Sequence, residues 1–93
     1  MDRIEIGSKV AVSQRTFLCS GTHSINDLRR PLVTRPISIG DHAWICAESF
    51  IAPGVVIGEG AVVGARSAVF KNVDEWNVVG GNPATFIKKR EIF

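Results

Sequence analysis

Few side chains in this sequence can do chemistry. It holds two histidines, His23 and His42, two cysteines, Cys19 and Cys46, and two short basic clusters, Arg29, Arg30 and Arg35 and then Lys88, Lys89 and Arg90. An imidazole exchanges protons near neutrality, so either histidine is a candidate proton carrier, although an isolated histidine in a turn is usually just a surface side chain. Two histidines are one short of a three-histidine zinc site. Each cysteine sits one place after an inward aliphatic residue, where other repeats have glycine, and so reads as a small packing residue rather than half of a disulfide or a metal pair. The basic clusters are too short, and too poor in interleaved aromatics, for nucleic-acid binding.

The elements that must hold these residues are set by a period. From Ile39 an aliphatic residue returns every sixth position, at Ile39, Ile45, Ile51, Ile57, Val63 and Val69, and four positions after each comes Ala43, Ser49, Val55, Ala61, Ser67 or Val73. On a helix each return would be rotated by about 240°, scattering the aliphatic residues around the axis. In extended chain six residues are whole pleats, so both positions of each hexad point the same way. A hexad leaves room for a strand and a turn, and three close a triangular coil of 18 residues whose copies stack as parallel strands.

The phase also runs upstream, through Ile6, Val12 and Leu18 with Val10, Thr16 and Thr22. The step from Leu18 to Ile39 is 21 residues, not a multiple of six, so residues 24–36 are expected to leave the coil as an excursion loop. Asn26, Asp27, Arg29, Arg30, Pro31, Arg35 and Pro36 supply the turn formers and charges such a loop needs. One domain, residues 1–93, is expected, with coils at about 4–23 and 37–74 and a cap at about 75–93. In the cap Gly80 and Gly81 allow a sharp turn, and Pro83 suits the first position of an α-helix running to about Glu91, with Phe86 and Ile87 covering the last coil. No equivalent cap precedes Ile6, and an open first coil would present unpaired strand edges and apolar side chains to water, so another chain or a preceding segment is expected to cover it. A net charge of +2, no apolar run of a secretion signal and no stretch of about 20 apolar residues lead to the expectation of a cytoplasmic protein without a membrane span.

The hexads, with Gly21-Thr22-His23, His42-Ala43-Trp44-Ile45, Pro53-Gly54-Val55-Val56-Ile57-Gly58 and Val79-Gly80-Gly81-Asn82-Pro83-Ala84, resemble the hexapeptide-repeat O-acetyltransferases, in particular the maltose, galactoside and colanic-acid branch. The resemblance implies an all-β, left-handed parallel β-helix with a short C-terminal α-helix. It also implies a homotrimer with active sites between subunits, and acetyl transfer from acetyl-coenzyme A to a saccharide or similar hydroxyl. By motif position His23 is the general base, with Asp27 the nearest acidic residue that orients or approaches it. The coenzyme residues carried over are Trp44, Ala47, Ala65, Phe70, Lys71 and Lys88, with Lys89 or Arg90 as further basic candidates; Phe70 stands where the family has a threonine. No metal is expected. The acceptor contacts of relatives come largely from a segment preceding the first coil, which leads to an alternative reading, a shortened remnant serving as a trimeric structural or coenzyme-binding module. A zinc carbonic anhydrase on the same kind of helix would need a third histidine.

Overall fold

The computed structural model describes residues 2–92; Met1 and Phe93, the outermost residues of the expected domain, lie outside the described residues. The chain is all-β, with strands β1 (Ile4–Ile6), β2 (Ala11–Val12), β3 (Phe17–Leu18), β4 (Gly21–His23), β5 (Leu32–Thr34), β6 (Ile37–Ile39), β7 (Trp44–Ile45), β8 (Phe50–Ile51), β9 (Val56–Ile57), β10 (Val62–Val63), β11 (Ala68–Val69), β12 (Asn77–Gly81) and β13 (Ala84–Lys89). The coil strands fall into three sheets, β1-β6-β9, β2-β7-β10-β12-β13 and β3-β8-β11, and β4 and β5 pair in a fourth outside the coils. Parallel registers such as Ile39 with Ile57, Ile45 with Val63 and Ile51 with Val69 set partners 18 residues apart, the three-hexad coil.

The hexad aliphatics converge on one axis. Ile39, Ile45, Ile51, Ile57, Val63 and Val69 are all buried, as are Ala43, Ser49, Val55, Ala61, Ser67 and Val73. The two serines are satisfied: Ser49 Oγ donates to the carbonyls of Cys46 and Gly64 at 2.9 and 3.0 Å, and Ser67 Oγ accepts from the Gly81 amide at 3.1 Å. Corners are made by residues in the left-handed region, among them His42, Glu48, Gly60, Arg66 and Trp76. That conformation costs about 1–2 kcal/mol for a non-glycine residue. Each of these residues donates its amide to a corner carbonyl of the neighbouring coil, to Ser8, Gln14, Asp41, Ala47 and Glu59 respectively, which offsets the cost.

In the first coil Ile6 is 50% exposed and Val12 is exposed, because β1, β2 and β3 each pair on one side only among the described residues. Thr22 is not an inward companion; it lies exposed in β4.

The expected C-terminal helix is not formed. β12 adds to β10 in parallel (Val62 with Val78), the chain turns at Asn82-Pro83, and β13 returns antiparallel along β12 (Gly81 with Ala84, Asn77 with Lys89). Eight or nine residues make a marginal helix in water, whereas the free edge of β12 offers a ladder, and Thr85, Phe86 and Ile87 suit a strand. Phe86 and Ile87 cover the last coil only in part, each remaining 58% exposed. No helix among the described residues is long and apolar enough to cross a membrane.

Candidate functional site

His23 ends β4, which leaves the coil at buried Ser20 and Gly21 and pairs antiparallel with β5, His23 facing Leu32. The connecting loop is folded around Asp27. Its carboxylate accepts from the Arg29 amide and guanidinium, its carbonyl accepts from the Arg30 amide, and the Ser24 amide donates to the Pro31 carbonyl. This turn, with Arg30 in the left-handed region, aims the Arg30 carbonyl at His23, and Nδ1 lies 2.7 Å from that oxygen. A carbonyl only accepts, so Nδ1 is the protonated nitrogen and Nε2 carries the free lone pair in the neutral ring. Asp27 therefore does not orient His23; its carboxylate is committed to the Arg29 guanidinium, which holds it below the usual carboxylate range. At the loop tip Ile25 and Leu28 are 94% and 99% exposed.

His23 opens on a depression of about 360 Å³ lined by Thr22, Ser24, Asn26, Arg35 and Pro53, among others. Sequence reasoning grouped Arg35 with the loop charges and missed that it shares this space. The only sequence signal was its place between β5 and the buried start of β6.

The expected coenzyme residues divide over several surfaces. Trp44 and Lys88 come together across the second sheet, in a depression of about 310 Å³ with Val62, Val78, Arg90 and Glu91. The indole donates Nε1 to Ser13 Oγ at 3.3 Å. Ala47 and Ala65 follow equivalent strands, β7 and β10, one coil apart at the edge of that sheet. Phe70 instead continues an aromatic column on the third sheet, its ring 6.0 Å from Phe50, itself 5.8 Å from Phe17. Lys71 lines a separate depression of about 290 Å³ at the C-terminal end with Asn72, Asp74, Asn77 and Phe86; there Asn77 Oδ1 is the one buried side-chain polar atom without a partner among the described residues.

Arg90 does not stand ready for a phosphate. Its Nη1 donates to the carbonyls of His42 at 2.9 Å and Gly60 at 3.0 Å, and its guanidinium lies 6.0 Å from the centre of the Trp76 ring. Trp76 in turn covers Gly60, where a Cβ would come within 2.2 Å of the indole and φ is +68°. Lys89 Nζ reaches the Glu75 carbonyl at 3.4 Å. Both cysteines are free; Cys19 Sγ donates to the Gly21 carbonyl, and burial pushes the Cys46 thiol up. Among the described residues no three of His, Cys, Asp or Glu converge to hold a metal ion.

The pattern of the bacterial transferase hexapeptide (six repeats) family matches residues 36–71. The chain is 42% identical over 90 residues to the putative colanic acid biosynthesis acetyltransferase WcaF of Escherichia coli (strain K12), a match covering 97% of this chain and 50% of WcaF. It is 54% identical over 52 residues to a chloramphenicol acetyltransferase of Klebsiella aerogenes, covering 56% of this chain and 25% of that protein. The chain thus spans about half or less of these curated relatives. Among solved structures, a mutant of AntD, an N-acyltransferase from Bacillus cereus in complex with dTDP and coenzyme A, superposes with a TM-score of 0.87 at 31% identity, over 95% of this chain and 53% of that one. A hexapeptide-repeat acetyltransferase from Vibrio cholerae complexed with acetyl coenzyme A gives 0.79 at 28% identity, over 96% and 61%. With its 18-residue coils, the chain carries the bacterial transferase hexapeptide repeat over residues 36–71 and is similar, over nearly its whole length, to about half of these hexapeptide-repeat acetyltransferases and acyltransferases.

Proposed function

We propose that this chain forms a left-handed β-helix trimer that transfers acetyl from acetyl-coenzyme A to a hydroxyl of a saccharide or similar acceptor, with His23 as general base. The observation that carries this is the bond from His23 Nδ1–H to the Arg30 carbonyl, which leaves Nε2 free beside an open depression. As the acceptor oxygen attacks the thioester carbonyl carbon, its proton passes to Nε2; as the C–S bond breaks, the imidazolium returns that proton to the departing sulfur. Base catalysis of this kind contributes about 10²–10⁴ in rate. The coenzyme lies against Trp44 and Lys88, past small Ala47 and Ala65, with the ammonium meeting phosphate. Lys71 and Phe70, which the resemblance also assigns to the coenzyme, lie on other surfaces of the same copy.

The separation of the parts supports assembly of several copies. The depressions of His23 and of Trp44 with Lys88 share no residue, so base and coenzyme meet when one copy's loop lies against the next. The exposed Ile25 and Leu28 of that loop are the apolar surface such a contact buries. The test is thiol release from acetyl-coenzyme A across a panel of saccharides. His23→Ala is expected to lower kcat by about 10²–10⁴; undiminished turnover refutes the assignment.

One observation favours a second reading, a trimeric module that binds coenzyme without turnover: Asp27 is tied to Arg29, so it does not hold His23. Coenzyme binding by calorimetry with no thiol release from any acceptor would select it.

A further inference from the structure

Arg35 follows β5 and is fixed at two points. Its amide donates to the carbonyl of buried Ser20 at 3.0 Å, which anchors the backbone to the coil. Its aliphatic stem lies over Gly54, where an added Cβ would meet Arg35 Cδ at 3.2 Å and Cβ at 3.3 Å. Gly54, at φ +80°, leaves the flat corner along which that stem runs. The side chain so placed lines the His23 depression.

The other charges of the loop are engaged elsewhere or face elsewhere. Arg29 is paired with Asp27, while Arg30 and Asp27 line a second, smaller depression of about 210 Å³ that adjoins the first at His23, Ser24 and Ile25. Arg35 makes no ion pair among the described residues, and no carboxylate lines the space it shares with His23. The remaining polar groups there, the hydroxyls of Thr22 and Ser24 and the amide of Asn26, are neutral and suit sugar hydroxyls. A guanidinium fork presents paired donors whose natural complement is a carboxylate or a phosphate.

We infer that Arg35 reads an anionic group on the acceptor, so that the preferred acceptor is an acidic saccharide, carrying a carboxylate or a phosphate, rather than a neutral sugar. This rests on the assignment of His23 as the base of the proposed transfer, and deepens it by naming the acceptor's chemical class. Arg35 binds and positions; it takes no proton.

The experiment compares glucuronic acid, galactose 1-phosphate and methyl galactoside with the full chain, Arg35→Gln and Arg35→Lys, read by thiol release and by saturation-transfer NMR of each sugar without coenzyme. Expected is a kcat/KM about 10–100-fold higher for at least one of the two anionic acceptors, the worth of a charge-assisted hydrogen bond. Arg35→Gln abolishes that advantage, Arg35→Lys keeps part of it, and methyl galactoside changes by less than about twofold in both. Response to glucuronic acid alone identifies a carboxylate, and to galactose 1-phosphate alone a phosphate. Equal or better use of the neutral sugar by the parent chain, or an equal loss on all three acceptors in Arg35→Gln, overturns the inference. If no acceptor is acetylated, the transferase reading falls separately. NMR then decides on Arg35: binding of an anionic sugar that Arg35→Gln selectively removes upholds its role, and binding that is indifferent to charge or to Arg35 ends it.

Discussion

Arg90 and Lys88 are two positions apart on or just past β13 and line one depression, yet they are expected to fail in opposite ways. Arg90 spends its guanidinium on the fold. Nη1 bridges the carbonyls of His42 and Gly60 on successive coils, and the Arg90 amide donates to the Trp76 carbonyl at 2.7 Å. Arg90→Met keeps much of the stem and the amide but removes the cation. The bond to Gly60 is part-buried, so its loss counts near the roughly 1.5–3 kcal/mol of a charged hydrogen bond. The bond to His42 is exposed, and its carbonyl regains water, so about 0.5 kcal/mol is assigned to it. The contact with the half-buried Trp76 ring adds about 0.5 kcal/mol. The expected destabilisation is therefore about 2.5–4 kcal/mol, a fall in Tm of at least about 10 °C for a domain of this size. Lys88 makes no such bond among the described residues, so Lys88→Met is expected to shift Tm by less than about 2 °C. In coenzyme titrations the order reverses: Lys88→Met weakens binding about tenfold or more through a lost phosphate contact. The assays are thermal unfolding by circular dichroism and calorimetric titration with coenzyme A, each done well below the lower Tm. An Arg90→Met protein melting within 2 °C of its parent would refute the latch, and with it the claim that this guanidinium holds the hairpin to the coils.

Ile57 is fully buried at the centre of the stack and Ile6 half exposed at its open end, so Ile57→Ala should cost about 2–5 kcal/mol and Ile6→Ala about 1 kcal/mol or less in denaturant unfolding; equal costs would contradict the axis described. Phe50 stacks between Phe17 and Phe70, and Phe50→Ala is expected to cost about 2–4 kcal/mol, more than either neighbour, by the same measurement. The Asp27 carboxyl is depressed in the folded chain by Arg29, so its contribution is present above the ordinary carboxylate range and is lost as pH falls through the lower folded value. A carboxyl titration followed by NMR should show Asp27 protonating at lower pH in the parent than in Arg29→Gln; an Asp27 titration that is the same in both would remove the clasp from solution. Burial makes Cys46 ionise above the usual thiol range, so its alkylation near pH 8 is expected to be several-fold slower than that of an unfolded-chain control.

The hexads were readable because their constraint is periodic and local to each coil. An inward position returns after six residues whatever the rest of the chain does, and every sixth-position aliphatic from Ile39 to Val69 fell on the axis. The cap obeyed a constraint the local signals do not carry. Gly81, Asn82 and Pro83 are as suited to a hairpin turn as to a helix start, and the choice went to the partner on offer, the open edge of β12 beside β10. Arg90 illustrates the same point at one residue. Its chemistry suggested a phosphate, but its carbonyl partners lie 48 and 30 residues back, a distance that spacing does not reveal.

His23 stands between these cases. Its motif position and the excursion after it were visible in the chain, whereas the atom that sets its tautomer was not. That atom is the carbonyl of Arg30, a group every residue carries, and it is aimed only because Asp27 closes a turn on Arg29 and Arg30. The aspartate expected to hold the imidazole therefore acts one step away, on the loop rather than on the ring. Asp27→Asn, which keeps the side-chain acceptor for the Arg29 amide and loses the charge pair, should leave His23 bonded to Arg30 and cost activity little, whereas Asp27→Ala opens the turn and frees the ring. NMR of the His23 nitrogens distinguishes the two: Nδ1 stays protonated at neutral pH in the Asn variant and the tautomers mix in the Ala variant. Mixing to the same extent in both would return Asp27 to a direct electrostatic role on the base.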